Sequence, residues 1–205
     1  MLHIVGNDNR SREYRVLRSM FEARKRVFVD LLKWDLPVLA GRYEVDQFDD
    51  GNAIYLVVAD EQDDHRASAR LLPTVRPALL DSLYPNLVEG ELPKGPHVFE
   101  ITRFCLSRGI SARLRREARD RLLVGLADYA LANAISDYTG VAELPWFEQI
   151  RTFGWDCVAL GQPREHDGRL LTALHIRIDN TTVAKLAARG IASDAGIGLL
   201  PARAA

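Results

Sequence analysis

Two stretches of the chain carry residues whose chemistry goes beyond packing. Between residues 24 and 50, Arg24, Phe28 and Trp34 share one amphipathic stretch, and Glu44, Asp46, Asp49 and Asp50 follow. Aromatic faces beside a carboxylate cluster suit a cationic ligand: a ring attracts a nearby cation by roughly 0.5–2 kcal/mol, and the carboxylates add charge of the correct sign. The second stretch is Glu100-Ile101-Thr102-Arg103-Phe104, a strand-like run with two opposite charges among mostly apolar neighbours. Charges in such a place are costly unless paired or used. In a regular strand, positions 100 and 103 face opposite ways. A β-bulge between them would turn both toward one cleft, and bulges recur beside active sites. We therefore expect a bulge or a splayed strand pair near Ile101 to Arg103; the alternatives are a buried Glu100–Arg103 ion pair, or a regular strand with the two on separate faces.

The elements that must hold these residues follow from hydrophobic period and turn signals. Leu2 to Val5 reads as a strand closed by the turn Gly6-Asn7-Asp8-Asn9. From Ser11, apolar positions Tyr14, Leu17, Phe21, Val27 and Leu31 recur at helical spacing, which predicts a helix to about Val29. Gly41 to Asn52 is an acidic loop expected to order with ligand. Ile54–Ala59 and Ala67–Leu72 form a hairpin around a charged turn, with Arg70 inside its second strand. Five prolines break the chain from Pro73 to Pro96, leaving Tyr84 in a connecting segment, and a strand resumes at His97. Leu114, Ala118, Leu122, Leu126, Ala130 and Ala134 predict a long helix after Ser111. A strand over Tyr138–Ala142, a short helix over Trp146–Phe153 and a hairpin of Trp155–Leu160 with Leu170–Ile178 complete a mixed sheet of about seven strands, an α/β sandwich. Residues 1–185 are expected to form one domain and 186–205 a mobile tail.

Composition narrows the classes. A formal charge of -1 with 27% charged residues argues against a nucleic-acid footprint over the whole surface, so a basic patch must be local. No long apolar run or signal-peptide pattern is visible, which predicts a cytoplasmic protein with no membrane partner. Cys105 and Cys157 stand far from one another and from any histidine at metal-ligand spacing. Reduced thiols and no metal are expected.

The spaced set Arg24-x-x-x-Phe28-x-x-x-x-x-Trp34, Glu44-x-Asp46-x-x-Asp49, Arg70 in Ala69-Arg70-Leu71-Leu72, and Glu100 to Phe104 resembles the acyl-homoserine-lactone synthases, the autoinducer synthases of bacterial quorum sensing. The resemblance covers roughly the first half of the chain and continues more loosely through the Phe153-Gly154-Trp155 turn. It implies a sandwich like that of the GNAT N-acetyltransferases, with a mostly antiparallel sheet and a V-shaped cleft. It also implies acyl transfer from acyl carrier protein, or from acyl-CoA, to the amine of S-adenosylmethionine, a substrate rather than a cofactor. Lactonisation then releases methylthioadenosine.

Under that resemblance Phe28 and Trp34 face the sulfonium, and Asp46 and Asp49 take the amine or the ribose hydroxyls. Arg24 or Arg103 receives the carboxylate, since a guanidinium fork binds a carboxylate bidentately. Arg70 either pairs with the loop acids or touches ligand. Glu100, with Glu44 as the alternative, is the candidate base for the ammonium. The acyl chain is expected near Leu123, Leu126, Val141, Ala142 and Trp146, and Arg113, Arg116 and Arg119 are a candidate face for an acidic carrier protein. The coenzyme-A phosphate loop of the acetyltransferases is missing after Glu100. A coenzyme-A-dependent N-acetyltransferase and a noncatalytic acyl-binding module are the alternative readings.

Overall fold

The computed structural model of the chain describes residues 1–192. Its framework is one eight-stranded sheet in the order β1 (Leu2–Val5), β4 (Ile54–Ala59), β5 (His65–Pro73), β6 (Val98–Leu106), β7 (Asp137–Glu143), β10 (Arg169–Arg177) and β8 (Asp156–Ala159). The short β9 (Arg164–His166) also pairs with β10, and a separate ribbon joins β2 (Val38–Leu39) to β3 (Tyr43–Glu44). All neighbours in the large sheet are antiparallel except β6 and β7. One face packs on α3 (Ala112–Ala132), α4 (Leu144–Arg151) and α5 (Thr182–Ala187), and the other on α1 (Tyr14–Arg24) and α2 (Leu79–Leu83).

The mixed sandwich matches the sequence reading, and the differences from it are local. The first helix is regular only to Arg24; Lys25–Leu31 is a π-helix, a widened form frequent at functional sites. The long helix starts where expected, with the Ser111 hydroxyl accepting from the Leu114 N–H at 3.3 Å. Leu186 and Ile191, placed in the expected tail, are buried in the core beneath α3, so the packed unit runs beyond residue 185. Residues 193–205 lie outside the described ones. Among the described residues no helix is long and apolar enough to cross a membrane.

Two irregularities open the sheet. Parallel pairing of β6 with β7 runs from Val98↔Asp137 to Ile101↔Gly140 and stops, although both strands continue. Beyond that point they part into a V. On the other side of β6, the register with β5 steps from Arg70↔Thr102 to Ser68↔Cys105, so one extra residue is accommodated on β6. Arg103 carries the distortion, with φ at +51°. Ile101 and Phe104 consequently both pack toward the α3 core, while Cys105 packs with Val27 and Phe28 on the opposite face. The expected irregularity between Glu100 and Arg103 is present as both a bulge and a splay.

Gly140 marks the point of separation. A Cβ there would stand 2.9 Å from the Ile101 carbonyl oxygen, a backbone atom with little room to retreat. Gly140→Ala is expected to lower stability by about 1–3 kcal/mol through overpacking. An unchanged thermal midpoint would contradict this reading of the junction.

Candidate active site

Above the bulge, six charged side chains from distant parts of the sequence form one buried network. Arg24, at the end of α1, donates from Nε to Glu44 at 2.5 Å and from both terminal nitrogens to Asp49 at 2.8 and 2.9 Å. Arg70 on β5 forks onto Asp46 at 2.6 and 3.1 Å, stands 2.8 Å from Asp49, and donates from Nε to the Thr102 hydroxyl at 2.9 Å. Arg103 reaches Glu44 at 3.1 Å and Asp46 at 2.7 Å. Tyr55, unforeseen from the sequence, gives its hydroxyl proton to Asp49 at 2.9 Å.

Three guanidiniums therefore cancel three carboxylates. Burial pushes the Asp49 carboxyl upward, but Arg24 and Arg70 outweigh it and hold the group well below the usual carboxylate range. Burial alone would lower Arg24; its bonds to Asp49 and Glu44 reverse that and drive it upward. The same contest, with Asp46 the main partner, raises Arg70.

This corrects the acidic nest expected from the sequence. Glu44, Asp46 and Asp49 are neutralised by arginines of the same chain, and the loop holding them is ordered by those bonds. Arg24 and Asp49 side chains are each 1% exposed, so neither is placed to meet a ligand. Arg24 is engaged by Glu44 and Asp49, and Arg70 by Asp46 and Asp49. Both oxygens of Glu44 accept from guanidinium donors. Arg103 has the most exposed side chain of the three arginines, at 8%.

Phe28 and Trp34 stack on each other with centroids 4.9 Å apart and planes 15° from parallel. Cations already flank the pair: the Arg103 guanidinium lies 5.9 Å from the Phe28 centroid and that of Arg169 lies 5.4 Å from the Trp34 centroid. Arg169 also donates to the Leu32 carbonyl at 2.6 Å and stands 3.5 Å from Glu143, tying the end of the sheet beyond the splay to the segment carrying Trp34. Nothing in the sequence singled out Arg169. The Trp34 indole N–H is buried with no partner among the described residues.

Glu100 lies apart from the network. Its carboxyl accepts from the Leu80 backbone N–H at 3.0 Å, and no ion pair with Arg103 forms. Burial is the main influence on it and raises its pKa to about 7 against the pull of that hydrogen bond. A carboxyl pushed toward neutrality in this way suits general-base chemistry. Glu100 and Thr102 alternate onto one face, and the bulge adds Arg103 to it.

On the opposite side of β6, the splay opens into an apolar cavity of about 60 Å³ that reaches Thr102 and Arg103. Leu123, Leu126, Val141, Ala142 and Trp146 all line it. So do Phe104, Ile150, Phe153 and Trp155, which no sequence signal marked as pocket residues. Of the expected basic face, Arg113 and Arg116 are exposed, Arg113 beside Glu117 at 3.0 Å, and Arg119 is tied to Asp120 at 2.6 Å and stacked 5.2 Å over Phe153.

A buried carboxyl and a guanidinium share one face of β6, and an apolar slot opens on the other where two parallel strands part, an arrangement suited to acyl transfer. In fold alone the chain is similar to an acyl-CoA N-acyltransferase from Pseudomonas aeruginosa, which superposes with a TM-score of 0.59 at 16% identity, covering 85% of this chain and 98% of that one. The autoinducer synthase family model matches residues 8–186, and the chain belongs to that family. An acyl-homoserine-lactone synthase of Ralstonia nicotianae is 34% identical over 173 residues, 82% of this chain and 84% of the relative. The CoA-dependent acyl-homoserine lactone synthase BjaI, solved with SAM and isopentyl-CoA, superposes with a TM-score of 0.83 at 25% identity, covering 95% of this chain and 90% of that one.

Removing one member of a buried charge network leaves the others uncompensated. Arg24→Met is expected to cost about 3–5 kcal/mol in urea denaturation. Arg113→Met, which breaks an exposed helical pair, is expected to cost no more than about 0.5 kcal/mol. Equal losses for the two variants would contradict the network's role.

Proposed function

We propose that this acyl-homoserine-lactone synthase joins an acyl thioester to S-adenosylmethionine at the rim of the splayed strands, with Glu100 as the base. The observation that carries the reading is a buried carboxyl, held by the Leu80 N–H and pushed upward by burial, on the face to which the bulge delivers Arg103. Arg103 takes the methionyl carboxylate, with Asp46 holding the guanidinium in place. Phe28 and Trp34 offer ring faces of the kind that already accept guanidiniums, and the unpartnered Trp34 N–H is a donor available to ligand. Arg24, Glu44, Asp49, Arg70 and Tyr55 support these groups from beneath.

The chemistry proceeds in two displacements. Glu100 removes a proton from the α-ammonium, and the freed amine attacks the thioester carbonyl. The new C–N bond forms, the C–S bond breaks, and the thiol leaves carrying the second amine proton. The methionyl carboxylate then attacks its own γ-carbon, the sulfonium C–S bond breaks, and methylthioadenosine departs as the lactone closes. Arg103 contributes orientation in that second step, holding one oxygen in line with the γ-carbon. The acyl chain lies in the cavity lined by Leu123, Leu126, Val141, Ala142 and Trp146. Arg113 and Arg116 on α3 offer a small exposed basic face, and the donor is a thioester on either acyl carrier protein or coenzyme A.

Because Glu100 must be ionised to act, kcat/KM for S-adenosylmethionine is expected to rise with pH through about 7 and level above it. Glu100→Gln should retain S-adenosylmethionine binding, lower acylation by about 10²–10⁴-fold, and abolish that inflection. Stability supplies the companion sign. A carboxyl with a raised folded pKa stabilises the fold below 4.5 and loses that contribution as pH rises through about 7. Glu100→Gln, which cannot ionise, should therefore lose less stability than the parent over that window. Retention of the pH inflection in the variant would rule out Glu100 as the base.

A further inference from the structure

The cavity beneath the splay ends on a continuous aromatic wall. Ring centroids are 5.3 Å apart for Phe104 and Trp146, 5.9 Å for Trp146 and Phe153, and 6.2 Å for Phe153 and Trp155. The members differ in depth: Phe153 and Trp155 are buried, whereas Phe104 and Trp146 are half-buried and share the cavity with Thr102 and Arg103 at its rim.

The deep end is braced from three sides. The Trp155 indole N–H donates to the Ile150 carbonyl at 3.1 Å, and Arg119, anchored by Asp120, covers the Phe153 ring. Between those two rings Gly154 turns with φ at +101°, and a Cβ there would stand 2.6 Å from the Lys185 carbonyl, so α5 is closed against the back of the turn. A wall packed and hydrogen-bonded in this way does not retreat without leaving voids elsewhere.

The space in front of it is small. A cavity of about 60 Å³, set against the roughly 30 Å³ that a water-sized group occupies in a packed liquid, holds about two such groups. We infer that the acyl group transferred by this enzyme is short, about four carbons counting the carbonyl, with Trp146 and Phe104 walling its space and the braced Phe153 and Trp155 closing its end. The inference rests on the acyl-transfer reading above and adds the substrate class to it. Thr102 and Arg103 at the rim leave the thioester carbon beside the face that carries Glu100, and an eight-carbon chain would have to displace the braced rings.

The test uses the full chain with saturating S-adenosylmethionine and a series of butanoyl, 3-methylbutanoyl, hexanoyl, octanoyl and decanoyl thioesters, each on coenzyme A and on acyl carrier protein. Lactone and methylthioadenosine are followed together by mass spectrometry. On the carrier that supports turnover, kcat/KM should be at least about tenfold higher for butanoyl or 3-methylbutanoyl than for octanoyl. Trp146→Ala should raise the octanoyl-to-butanoyl ratio by about tenfold, and Phe104→Leu, a milder change in the same wall, should move it in the same direction. A parent enzyme that prefers octanoyl or decanoyl, or variants that leave the ratio unchanged, would overturn the short-chain inference while leaving acyl transfer intact. Absence of methylthioadenosine with every donor would overturn the acyl-transfer reading and this inference with it.

Discussion

Everything around the site depends on the mutual neutralisation of Arg24, Arg70 and Arg103 by Glu44, Asp46 and Asp49. Each of these charges, buried alone, would cost several kcal/mol. Buried together, they hold the acidic loop onto β5, β6 and the end of α1 with bonds of fixed direction. The gain is geometry more than stability, because ion pairs of this kind roughly balance their own desolvation. Arg103 cannot sit in a regular strand and also reach Glu44 and Asp46, and its φ of +51° is the conformational consequence.

That distortion links the network to the face proposed for catalysis. By taking one extra residue into β6, the bulge places Arg103 with Thr102 and Glu100, while Phe104 is turned to the other face to wall the apolar cavity. The parting of β6 from β7 connects the two faces. Glu100 is kept out of the arginine network by the Leu80 N–H, and this separation is what leaves burial free to raise its pKa. A glutamate paired with Arg103 would have been held ionised and of little use as a proton acceptor near neutrality.

Much of the fold was legible because local signals and tertiary packing agree. The hairpin at Ile54–Ala59 and the long helix behind its Ser111 cap follow from period and turn chemistry, whereas the cavity residues Leu123, Leu126, Val141, Ala142 and Trp146 were reached through the family resemblance. The bulge was legible for a different reason: two charges three positions apart in an apolar strand conflict with period two unless the strand breaks. The charge of the acidic loop was misread because its counter-ions come from 20 to 59 positions away, and composition within a loop does not reveal them. Arg169, 137 positions from the carbonyl it binds, and the Tyr55 hydroxyl were hidden for the same reason. The π-helical turn after Arg24 escaped a period reading because a single widened turn barely disturbs apolar spacing.

The chain is a member of the autoinducer synthase family whose charged residues divide into a neutral supporting lattice and one isolated acid. The state of that acid can be read directly by following the Glu100 side-chain carboxyl in a ¹³C NMR titration of the free enzyme. A midpoint near about 7 is expected, set by burial. A midpoint at the ordinary 4.5 or below would mean that Glu100 is solvated or ion-paired, and would contradict its assignment as the proton acceptor.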